Sequence, residues 1–80
     1  MIAVTARYFA AFRERAGRDR EALTTDARTA AELYAEIARR HGVADSVARC
    51  KVAINDELAP WDSALAAGDE VLFFPPVAGG

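Results

Sequence analysis

From Met1 to Phe9 the chain alternates: Ile2, Val4, Ala6 and Tyr8 fall on one side, and Ala3, Thr5, Arg7 and Phe9 on the other. Period two with β-branched residues predicts a strand. Ala10 to Ala16 reads as a short helix, with Arg13, Glu14 and Arg15 in solvent and Gly17 as its stop. Glu21 to Thr25 is a second, weakly patterned strand. Helical spacing is clearest after Thr29, where Ala30, Leu33, Tyr34, Ile37 and Ala38 make a single apolar stripe. Thr29-Ala30-Ala31-Glu32 fits a capping box at its start. Arg39, Arg40 and His41 complement the macrodipole at its end, and Gly42 terminates it.

Cys50 to Asn55 predicts a third strand, with Cys50, Val52 and Ile54 on one face. Asn55-Asp56 is turn-forming and leads to a short strand at Glu57–Ala59. Ser63 to Ala67 reads as one helical turn, and Gly68-Asp69 as a tight turn into the last strand, Glu70–Phe74. That strand is apolar on both faces, the pattern of a central strand. One helix covers only one face of a sheet. The other is either closed by loops or left as an apolar patch for a partner. The order predicts an α+β fold: a mixed sheet of four to five strands packed on one main helix, with the first and last strands central and parallel.

At 80 residues and 52% apolar, the chain suffices for one domain with one core. We place that domain at residues 1–74 and an extended tail at 75–80. The net charge of -2, without a basic run, argues against nucleic-acid binding. No segment resembles a signal peptide or a membrane span, and with Cys50 as the single cysteine the chain reads as cytoplasmic. One histidine and one cysteine in different elements make no metal site, and no bound cofactor is expected. His41 reads as a helix-end cation, Cys50 as a small buried hydrophobe, and Trp61 as a core plug. Nothing in these side chains composes an enzyme active site.

The chemistry therefore falls to the end of the sequence: Pro75, Pro76, Val77, Ala78, Gly79 and Gly80. Two glycines make the thinnest backbone a protein offers, and the prolines favour an extended conformation that holds this tip off the domain. Six residues reach at most roughly 20 Å. That is enough to thread a partner's active site and present the Gly80 carboxylate as the reacting group.

Glu70-Val71-Leu72-Phe73-Phe74-Pro75-Pro76-Val77-Ala78-Gly79-Gly80, preceded by Gly68-Asp69, resembles the C-terminus of molybdopterin synthase small subunits. Tyr8-Phe9-Ala10-Ala11-Phe12-Arg13-Glu14-Arg15-Ala16-Gly17 resembles the same family's segment after its first strand. Ala67 departs from the Asp or Asn frequent there, at a turn position. The resemblance covers the whole chain and implies a β-grasp, ubiquitin-like fold and a sulfur-carrier role. It implies that an ATP-dependent ubiquitin-activating-type adenylyltransferase adenylates Gly80 and that sulfur displaces AMP to give a thiocarboxylate. It further implies that Val77, Ala78 and Gly79 thread with Pro75 and Pro76 into the synthase large subunit, in a heterotetramer. There the sulfur would pass to cyclic pyranopterin monophosphate for the molybdenum cofactor. Phe73, Phe74 and Val77 would anchor the partner. Two other roles share this architecture: a sulfur carrier for thiamin thiazole synthesis, and a ubiquitin-like modifier joined to lysines through Gly80.

Overall fold

The computed structural model describes residues 1–43 and 47–75. Five strands form one mixed sheet: β1 Ile2–Tyr8, β2 Arg20–Thr25, β3 Lys51–Ile54, β4 Glu57–Ala59 and β5 Glu70–Phe74. Their spatial order is β2-β1-β5-β3-β4. β1 and β5 run parallel, and every other neighbouring pair is antiparallel. α1 spans Ala11–Ala16, and α2, Ala30–His41, is the main helix. A 3-10 turn at Val47–Arg49 precedes β3. This is the β-grasp arrangement.

Strand alternation decides which side chains enter the core. Val4, Ala6 and Tyr8 of β1, Val52 of β3, and Val71 and Phe73 of β5 are buried with Leu33, Tyr34 and Ile37 of α2. Phe12 of α1 joins them. Trp61 is the plug expected of it: its ring stacks on Phe73 at 6.2 Å, and its Nε1–H donates to the Cys50 carbonyl.

One element differs from its sequence reading. Ser63 to Ala67 is not a helical turn. It pairs through Ala64 with Thr29 at the start of α2 and turns at Ala67, where Asp69 N–H donates to the Ala66 carbonyl. The first N–H groups of a helix lack partners within it. Here Ala30 N–H donates to the Ser63 carbonyl and Ala31 N–H to the Trp61 carbonyl. The Thr29 hydroxyl accepts from Glu32 N–H as a cap should. The Glu32 carboxylate, however, reaches the N–H of Arg28 rather than that of Thr29.

The β3–β4 hairpin turns on Asn55 (φ 52°) and Asp56 (φ 71°), the left-handed pair that a two-residue type I′ connection requires. Asn55 straps this hairpin to β5. Its Oδ1 accepts from Glu70 N–H, and its amide Nδ2 donates to Asp69. The start of the central strand is thereby fixed from outside the ladder.

At the far end of α2, the buried Glu21 of β2 is met by Arg40 at 3.1 Å, His41 at 3.3 Å and Arg18 at 3.7 Å. A lone buried carboxylate would be costly, and the guanidinium groups of Arg40 and Arg18 offset it. Beside them, burial and then the negative charge of Glu21 push the pKa of the Tyr8 hydroxyl far above its usual value near 10. Above about pH 10 the unfolded chain releases this proton while the folded one keeps it, so stability falls as pH rises. Tyr8→Phe is expected to remove that part of the alkaline loss. Across pH 9 to about pH 11, thermal melts should show the natural protein losing stability relative to Tyr8→Phe as pH rises; parallel curves would refute the assignment.

Candidate functional site

β5 is the middle strand of the sheet, hydrogen-bonded to β1 on one side and β3 on the other up to its last residues. Tyr8 pairs with Phe73, and Lys51 with Phe74. Pro75 follows at once. A proline has no N–H to offer either neighbour, so it ends the ladder there. The tail thus follows directly on a strand paired on both sides. Pro76, Val77, Ala78, Gly79 and Gly80 lie outside the described residues.

The two phenylalanines at the base of the tail have different fates. Phe73 is 0% exposed and packs against Trp61, Tyr8 and Tyr34. It therefore cannot touch a partner, which corrects its expected place in an interface. Alternation along β5 puts Phe73 toward α2 and Phe74 on the opposite face. Phe74 stays partly exposed, and its ring lies 5.7 Å from that of Phe9.

Among the described residues, that opposite face carries no helix. Strand register lines up Arg20, Arg7, Leu72, Ala53 and Leu58 in one row across all five strands. Leu58 is 74% exposed and Phe9 55% exposed, while Leu72 is partly covered. Together with Phe74 they make an apolar surface continuous with the base of the tail. Cations border it. Arg7 donates to Glu70 at 2.8 Å and Arg20 at 3.3 Å, so one carboxylate is clamped between two guanidinium groups. Arg7, Arg13 and Arg20 line a shallow hollow of about 270 Å³ with Phe9 and Leu72.

Phe9, Leu72 and Leu58 were not singled out as site residues from the sequence. For Phe9 a signal existed, since period two puts it opposite Tyr8. For Leu58 none did, because the hairpin register that carries it to the row of Leu72 is a tertiary fact.

Residues 6–80 match the ThiS family. The chain belongs to the ThiS family. This ThiS-family chain is 40% identical over 76 residues to the molybdopterin synthase sulfur carrier subunit of Haemophilus influenzae, covering 91% of this chain and 94% of that one. Among solved structures it is similar to SAMP1 from Haloferax volcanii, with a TM-score of 0.78 and 27% identity over 98% of this chain and 99% of that one. It is also similar to a chain in the complex of subunits 1 and 2 of the molybdopterin-converting factor from Helicobacter pylori. There the TM-score is 0.67 and the identity 26%, over 99% of this chain and 100% of that one. Among the described residues of the ThiS-family chain, no helix is long and apolar enough to cross a membrane.

Proposed function

We propose that this protein is the sulfur carrier of molybdopterin synthesis. One observation carries the reading: the exposed Phe9–Phe74 surface adjoins the base of a segment ending in Gly79-Gly80, on a chain of this family. A carboxylate is a poor electrophile. An ATP-dependent activating enzyme would transfer AMP to the Gly80 carboxylate with release of pyrophosphate. A sulfur nucleophile would then attack the carbonyl and expel AMP, leaving a thiocarboxylate. The large synthase subunit would dock on Phe9, Phe74, Leu72 and Leu58 and take the tail, Pro75 to Gly80, into its own site. Burial there keeps water from the reactive acyl group. The sulfur would pass to cyclic pyranopterin monophosphate in a cytoplasmic heterotetramer of two carriers and two large subunits. ATP belongs to the activating enzyme, and the carrier itself holds no cofactor.

Intact mass after incubation with ATP, sulfide and the activating enzyme tests this. One oxygen replaced by sulfur at Gly80 is the expected result; an unchanged mass with an active enzyme would sink it. The likeness to SAMP1, the small archaeal modifier protein 1 of Haloferax volcanii, favours a second reading as a protein modifier. Isopeptide conjugates through Gly80, without transfer of sulfur to the pterin, would establish that role.

A further inference from the structure

Ala10 adopts a backbone conformation that an L-residue rarely takes, φ 51° and ψ −120°. These are close to the values of the first central residue of a type II′ turn, a position dominated by glycine. The turn is closed: Phe12 N–H donates to the Phe9 carbonyl at 3.1 Å. Its two sides are anchored. Tyr8 is buried at the end of β1, and its N–H donates to the Asp19 carbonyl at 2.9 Å. Phe12 is buried against Tyr34, with ring centroids 5.9 Å apart. The chain must reverse between these anchors, and the reversal leaves Phe9 outward beside Phe74. The Cβ of Ala10 makes that reversal strained, so packing on either side has to hold it.

We propose that Ala10 is a positioning residue: its strained turn places Phe9 against Phe74 and sets how much of the free protein presents that pair to the large subunit. The inference rests on the docking role proposed above. Strain in the closed turn raises the share of molecules in which the turn opens and Phe9 leaves Phe74. Apparent affinity falls in proportion to the competent fraction. A carrier that visits an activating enzyme and then an acceptor benefits from such moderation, since an over-tight grip would delay each exchange.

D-alanine in place of Ala10 is the decisive substitution, because positive φ is natural for that enantiomer and no atom is added or lost. The chain divides for ligation before its single cysteine, Cys50. The D-alanine protein is expected to melt higher by roughly 5 °C. It should show stronger NOEs between the Phe9 and Phe74 rings and bind the large subunit more tightly, by up to the reciprocal of the natural protein's competent fraction. Ala10→Gly, free of strain but also of chiral bias, should fall between. In a Phe9→Ala background the D-alanine should still raise the melting point but leave affinity unchanged.

A higher melting point with unaltered NOEs and affinity would overturn the proposal, since the strain would then position nothing. A lower melting point would overturn it too, by denying the strain. If the natural chain does not bind the large subunit at all, the proposed function fails. The ring NOEs of the free proteins then still decide whether Ala10 places Phe9.

Discussion

A chain carrying one extra residue after Gly80 is expected to lose sulfur transfer entirely while melting at the same temperature as the natural chain. On the proposed function, the reaction takes place at the carbonyl carbon of Gly80. An added residue turns the Gly80 carboxylate into an amide and carries the free carboxylate one residue further, past the place where AMP and then sulfur would be attached. Stability should not change, because the ladder that holds β5 ends at Phe74 and the buried cluster among the described residues runs no further than Phe73. Gly80→Val should be nearly as severe for a different reason. The carboxylate remains, but a β-branched side chain must pass wherever two glycines passed. Intact mass after the activation reaction reads both variants, with molybdopterin formation by the large subunit as the second measure. Near-normal transfer by the extended chain would sink the assignment of Gly80.

Phe73→Ala and Phe74→Ala, adjacent in sequence, are expected to fail in opposite ways. Phe73 fills the centre of the core between Trp61, Tyr8 and Tyr34. Truncating such a ring costs about 3–5 kcal/mol. Whole domains are stable by only about 5–15 kcal/mol, so this variant should be largely unfolded or melt tens of degrees lower. Phe74 lies partly exposed on the other face, against Phe9 alone among the described rings. Phe74→Ala should keep most of the stability and lose docking. Exposed aromatic anchors at interface centres account for 2 kcal/mol or more, roughly thirtyfold in affinity. Denaturant melts and calorimetric titration with the large subunit separate the two effects. Loss of stability with unchanged affinity in Phe74→Ala would remove this residue from the docking surface.

These expectations differ because of one physical fact that the sequence shows only in part. The last strand is apolar on both faces, so the sequence announces a central strand without saying which face the helix covers. The reading of Phe73 as an interface residue failed on that ambiguity. Arg7, one residue before the buried Tyr8, could have resolved it, since β1 and β5 are parallel neighbours and Arg7 pairs with Leu72. The pairing itself needed the fold.

The misread segment at Ser63–Ala67 has a comparable cause. Its composition suits a helical turn, but the unpartnered N–H groups at the start of α2 offer Trp61 and Ser63 carbonyls a better use. Local propensity is weak over five residues, and a long-range hydrogen bond outweighs it.

What the sequence determined by itself is whatever depends on period and on covalent structure. Alternation in β1, the apolar stripe of α2 with its Thr29 and Gly42 ends, and the Gly79-Gly80 pair are all local properties of the chain. Tertiary structure alone decided the rest. It turned Phe73 inward and Phe74 outward, brought Leu58 into line with Leu72 and Arg7 across three strand pairings, and forced Ala10 into a glycine conformation between two buried rings. Each of these depends on which strand lies beside which. That choice is made by burying the apolar face of α2 against Val71 and Phe73 of β5, so no single segment contains it.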